Sequence, residues 1–165
     1  MKKLVSILIF GLTLVVMAQK DNPEKSFSHA VQLNTTPETA WDALVDFSNF
    51  KQWDDTVVAV KCPLELKKNK RCQTILEGGV LLEVEILDIV ENESYTLRYK
   101  LSSGNMFIKR TLAKNEQLQL EEEVWYKGLS KKTFERYKGD DYQNIIQTRM
   151  ENFKTYVENE TGQGK

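Results

Sequence analysis

The chain has 165 residues, of which 23 are Lys or Arg, 24 are Asp or Glu and one is His, for a formal net charge of −1. Charge so balanced and so dispersed leaves no electrostatic footprint for nucleic acid. The length suits one domain with a substantial core, and two cysteines with one histidine lack the ligand spacing of a zinc site.

Lys2 and Lys3 precede an apolar run from Leu4 to Val16, broken only by Ser6, Gly11 and Thr13, and Val16-Met17-Ala18 offers small residues for cleavage. Residues 1–18 therefore read as a signal peptide, and the mature chain as exported, periplasmic or secreted, from Gln19. An uncleaved anchor is the alternative, although the run is short of the roughly 20 apolar residues of a membrane span. No stable span is expected in the mature chain. Residues 19–25 are a polar lead-in and 160–165 a polar tail.

Ser26 to Leu33 alternates Phe27, His29, Val31 and Leu33 against polar or small residues, the pattern of a half-buried strand. A helix start follows. Thr36 suits the cap, Pro37 the first helical position and Glu38 the positive end of the dipole, while Thr35 with Glu38 fits a capping box. Ala40, Trp41, Leu44, Val45 and Phe47 share a stripe, and Phe50 and Trp53 follow at three-residue steps, predicting a second short helix or turn. Strands are then expected over Thr56–Cys62 and Cys72–Glu77, with a turn or bulge at Gly78-Gly79. Val80, Leu82, Val84 and Ile86 should share one face of the next strand. Tyr95, Leu97, Tyr99 and Leu101 mark another, and Met106, Ile108, Arg110 and Leu112 another. Leu118, Leu120, Glu122, Val124 and Tyr126 mark the last. Short polar turns between them predict an antiparallel meander with one apolar face. After Gly128 the period changes: a short helix holds Phe134 and Tyr137. A long one then carries Tyr142, Ile145, Ile146, Arg149, Met150, Phe153, Tyr156 and Val157, with Arg149 the single charge in its stripe. The long helix has only the sheet to lie on.

Cys62 and Cys72 flank a lysine-rich loop between two strands and could face each other as a disulfide, the alternative being two free thiols. Where sheet and helices meet, an enclosed apolar space is the default binding site. Alternation and helical spacing offer Trp53, Tyr95, Leu97, Tyr99, Met106, Ile108, Leu120, Val124, Tyr126, Tyr142, Ile146, Met150 and Phe153 as its lining, although the same residues could fill a solid core. Arg110 and Glu122 interrupt apolar faces. With a turn near Asn115 they become diagonal neighbours within reach of each other, unless a bulge turns both to solvent. Glu122, Arg110 and His29 are the only candidates for proton handling, and His29 reads equally as a partly buried structural histidine. No motif for a nucleophile, nucleotide, metal or other cofactor is present.

The element order, with L-N-T-T-P-E-T-A-W-D-A-L-V-D-F-S-N-F-K-Q-W-D near the start and M-E-N-F-K-T-Y-V-E-N near the end, resembles the START-like (SRPBCC) superfamily, especially its polyketide cyclase/dehydrase-like members. The resemblance spans residues 26–159. It implies an α+β helix-grip fold: a curved antiparallel sheet of about seven strands wrapped around a long C-terminal helix, with two short helices after the first strand. It also implies a deep apolar cavity holding a hydrophobic or lipid-like small molecule. The expected function is an exported, non-catalytic binding protein. The alternatives are a cyclase/dehydrase-like enzyme working in the same cavity, or an interaction module for another envelope protein. Fold-level likeness is weak warrant for chemistry.

Overall fold

A computed structural model describes residues 26–63 and 66–162. The signal-peptide reading and the polar lead-in lie outside the described residues.

Strand β1 (Ser26–Leu33) leads into helix α1 (Pro37–Val45) and a 3-10 helix, Phe47–Gln52. Thr36 caps α1, its hydroxyl accepting from Thr39 N at 3.2 Å, and Pro37 stands at the first helical position. Asp46 starts the 3-10 helix by accepting from Ser48 N. Six strands follow: β2 (Val57–Lys61), β3 (Arg71–Leu76), β4 (Leu81–Val90), β5 (Ser94–Leu101), β6 (Gly104–Lys114) and β7 (Leu118–Lys127). Helix α2 (Lys131–Lys138) and helix α3 (Tyr142–Gly162) close the chain. Gly139, at φ +87°, ends α2 in a conformation a side chain resists. Helix α3 runs past residue 159 into what reads from sequence as a tail, because no helix breaker stands before Gly162.

The strands form a single antiparallel sheet in the order β1-β7-β6-β5-β4-β3-β2. Every connection from β2 to β7 is a hairpin to the next strand, so only β1 crosses, carried from one edge to the other by α1 and the 3-10 helix. The inner face meets α3, whose Ile146, Met150, Phe153 and Val157 are fully buried. Along β1, Gln143 Nε2 and Lys154 Nζ of α3 donate to the carbonyls of Ser28 and Gln32, at 2.8 and 2.7 Å.

Two bulges correct the expected phase of the early strands. A register shift between Val57 and Ala59 puts Val57 and Val60 inward and leaves Val58 54% exposed. A second, between Ile86 and Asp88, brings Ile89 rather than Asp88 opposite Tyr95 on the inner face. Val80 precedes β4 and is exposed instead of joining the Val84–Ile86 face. Gly78 and Gly79, both at positive φ, make the β3–β4 turn. Cys62 and Cys72 face each other one step beyond the Lys61–Gln73 pair and are disulfide-bonded, with Cα atoms 4.4 Å apart.

Candidate functional site

Register places one row of residues across the sheet: His29 on β1, Glu122 on β7, Arg110 on β6, Tyr95 on β5 and Ile89 on β4, each opposite the next. Arg110 and Glu122 are thus directly opposed rather than diagonal, because the β6–β7 turn centres on Glu116, one residue later than Asn115. Both face inward, 1% and 0% exposed.

Glu122 is the hub. Its Oε2 accepts from Arg110 Nε at 2.7 Å, and its Oε1 from Arg149 of α3, through Nε at 3.1 Å and also through Nη2. Arg149 Nη1 donates to Asp54 Oδ2 at 3.2 Å, and Arg110 Nη1 to the Tyr95 hydroxyl at 2.6 Å. Asp54 Oδ1 takes the amide and hydroxyl of Thr56. The Arg110 guanidinium lies over Trp53, 4.7 Å from the ring centroid, and 5.3 Å from Phe50. Two buried cations and two buried carboxylates therefore answer each other, which is the condition for charge to be tolerated there at all.

The electrostatics follow. Burial pushes the Asp54 carboxyl up, but Arg149 beside it and the Thr56 bonds outweigh that and hold it below the usual carboxylate range. Burial works against the charge on Arg149 too, and Glu122 and Asp54 overcome it, keeping its pKa above an already high value. For Arg110, Tyr95 and Glu122 do the same against burial. Burial raises Tyr95, Tyr99 and Tyr142, so these hydroxyls stay protonated. Lys138, the last residue of α2, is lowered to about 8 by burial and then by Arg149, with Asp54 opposing.

The sequence-derived lining residues all lie in this interior. Trp53, Tyr95, Leu97, Tyr99, Met106, Ile108, Leu120, Val124, Tyr126, Tyr142, Ile146, Met150 and Phe153 are buried. They are closely packed: Trp53 meets Phe153 edge-on at 5.1 Å, Tyr126 stacks on Phe134 at 4.3 Å, and the Tyr142 hydroxyl reaches Met106 Sδ at 3.7 Å. A polar surface groove of about 690 Å³ is lined by Asn49, Gln52, Asp55, Asn152, Thr155, Tyr156 and Asn159, and smaller, more apolar openings lie at the seam between α1 and the β2–β4 end of the sheet. A pocket of about 410 Å³ is lined by Trp41, Val45, Leu66, Ile89 and Glu91. A neighbour of about 400 Å³ shares Val45 and Leu66. Trp41 also packs edge-on against Tyr95, at 6.3 Å, so one ring separates the first pocket from the Arg110 end of the charged row.

Of the proton-handling candidates, Glu122 commits both oxygens to guanidiniums, and Arg110 cannot surrender a proton. His29, a quarter exposed, stands 3.9 Å from Glu151 at the surface rather than in the network. Arg149 and Asp54 were not among the candidate residues. Arg149 carried a signal, as the one charge in an apolar helical stripe; Asp54, directly after the buried Trp53, carried none.

No family model matches the chain, and no curated protein matches its sequence. Solved structures do. Protein MLL2253 from Mesorhizobium loti superposes with a TM-score of 0.67 and 15% identity, over 82% of this chain and 98% of that one. A START superfamily protein from Mycobacterium smegmatis gives 0.62 and 11%, over 82% and 98%. The di-domain ARO/CYC BexL, from the BE-7585A biosynthetic pathway, gives 0.60 and 11%, over 83% of this chain and 52% of its own, so this chain spans about half of it. Identities this low show the fold alone: the chain has the helix-grip fold of these structures.

Proposed function

We propose that this protein is an exported, non-catalytic carrier or sensor that holds a hydrophobic or lipid-like small molecule between its sheet and helices. The observation that carries the reading is the seam pocket of about 410 Å³, apolar but for Glu91 and set one ring away from a buried charged row. Its volume lies in the range of small-molecule sites, and it pairs apolar walls with a few polar groups behind them. Covering about 400 Å² of ligand apolar surface would supply roughly 10 kcal/mol before ordering costs, which leaves binding in the range of tens of micromolar once about 4 kcal/mol of that is lost. Export rests on the Lys2-Lys3 leader with its apolar run, and the disulfide suits an oxidising compartment. A non-catalytic role is favoured by the network itself: Glu122 is locked between two arginines and Asp54 between Arg149 and Thr56, an arrangement for positioning rather than for moving protons.

Titration with N-phenyl-1-naphthylamine, an apolar dye that brightens on leaving water, tests the reading. Saturable binding of one dye per chain, displaced by added lipid and weakened about tenfold in Trp41→Ala or Ile89→Asp, is the expected result. A folded protein that leaves the dye dark at 50 µM would overturn it.

A further inference from the structure

The seam pocket carries an unanswered charge at its rim. The carboxylates along β4 each have a cationic partner: Glu83 meets Arg71 at 3.6 Å, Asp88 meets Lys68 at 3.4 Å, and Glu85 pairs with Arg98 of β5. Glu91, the next residue after that strand, has none within ion-pair distance among the described residues. It lines the pocket of about 410 Å³ together with Trp41, Val45, Leu66 and Ile89. Glu91 is exposed, while Trp41 is buried and the other three are half-buried, so the pocket is apolar within and acidic at its rim. Helix α1 forms the wall that holds Trp41 and Val45, which lie four residues apart on one face. Its exposed Glu38 and Asp42 add negative charge along the same helix. Lys67, beside Leu66, is exposed and does not line the pocket. The neighbouring pocket holds one charge of each sign, Asp46 and Lys61, so the surplus belongs to the pocket of Trp41 and Glu91.

A carboxylate in water needs no partner, so its position is what matters: it is the one charge on the lining of an apolar pocket walled by an indole, and cations favour aromatic surface. We propose that the seam pocket selects amphipathic ligands with a cationic head, an amine or ammonium on an aliphatic or aromatic body. The body lies against Trp41, Val45, Leu66 and Ile89, and the head stays at the rim beside Glu91. This rests on the hydrophobic-ligand reading above and adds the sign of the head-group charge to it. An ion pair at an exposed carboxylate is weak and screened by salt, so the preference is modest, about fivefold, and salt-sensitive.

Dodecylammonium, dodecanol and dodecanoate share one tail and differ only in the head. Each should be titrated at pH 7, below its aggregation limit, by displacement of N-phenyl-1-naphthylamine from the full chain. In about 20 mM salt the expected order of affinity is ammonium, alcohol, carboxylate, and the ammonium's lead of about fivefold over the alcohol should shrink to within twofold in about 0.5 M salt. Glu91→Gln should bring ammonium and alcohol within twofold of each other at low salt, and Glu91→Lys should put the carboxylate ahead of the ammonium. Glu93→Gln removes the same charge two residues on, from an exposed position outside the pocket lining, and should keep most of the preference. Thermal melts accompany the three variants, none of which removes an ion pair found among the described residues. Equal affinity for ammonium and alcohol in the wild type, an undiminished preference in Glu91→Gln, or an equal loss in Glu93→Gln overturns the inference and leaves the hydrophobic-ligand reading standing. A wild type that does not bind the dye removes that reading and this inference with it.

Discussion

Replacing Glu122 by Gln keeps the side chain's shape and removes one charge from the centre of the network. In the structure that charge answers two guanidiniums: Arg110 through Oε2 and Arg149 through Oε1. A glutamine offers one carbonyl oxygen, so one arginine keeps a neutral acceptor and the other meets an NH₂ group. Breaking a buried pair by removing one partner costs about 3–5 kcal/mol, and here two cations lose their shared partner at a fully buried position. Asp54 still holds Arg149, and Tyr95 still holds Arg110, which argues for the middle of that range, about 4 kcal/mol. Against a total of roughly 5–15 kcal/mol the variant should be near the edge of folding, with Tm lowered by roughly 10–20 °C. Urea unfolding followed by tryptophan fluorescence measures this directly. In a double-mutant cycle with Arg110→Met, the double variant should lose at least 1 kcal/mol less than the two single losses together. A loss below about 1 kcal/mol in Glu122→Gln would refute the reasoning, since it would mean the guanidiniums reach water and the row is not a closed network.

Asp54 ties stability to acid. Its pKa is held below the unfolded value of 3.8, so its contribution is complete above about pH 4 and disappears as pH falls through the folded value; Asp54→Asn should flatten the acid limb of a Tm-versus-pH curve there. Replacing Cys62 and Cys72 by serine opens a link of sequence separation 10 and should cost about 2–3 kcal/mol by chain entropy, read from urea midpoints with and without reductant. In Gly104→Ala the new methyl would meet Lys127 O at 2.6 Å and Leu129 Cγ at 2.8 Å, backbone on one side; a destabilisation of about 1–3 kcal/mol in a thermal melt is the expected outcome. Phe134→Ala removes the ring between Tyr126 and Tyr142, should cost about 3–5 kcal/mol, and should make the α2 segment the first site of limited proteolysis.

Much of the fold was legible because each element carries its own periodicity. Thr36-Pro37-Glu38 announces α1, the alternation in β5 to β7 sets the inner face, and the spacing from Tyr142 to Val157 defines the closing helix. What misled was where a local irregularity resets the phase. The bulges at Val57/Ala59 and Ile86/Asp88 have no signature in residue type, so Val58 looked as apolar as residues that do face the core, as did Val80, which falls just ahead of β4. The inward pair Arg110 and Glu122 was visible as two charges out of pattern, yet the partners that neutralise them were not. Arg149 and Asp54 are distant in sequence, and only the wrapping of the sheet around α3 brings them to Glu122.

A sheet that curls without closing leaves β1 as a border, a ready template for a stray extended chain. The amide of Gln143 and the ammonium of Lys154 reach across from the helix to two carbonyls on that strand. The same rod that fills the hollow thereby guards its rim, and its charged lysine makes that rim a poor seat for a second copy.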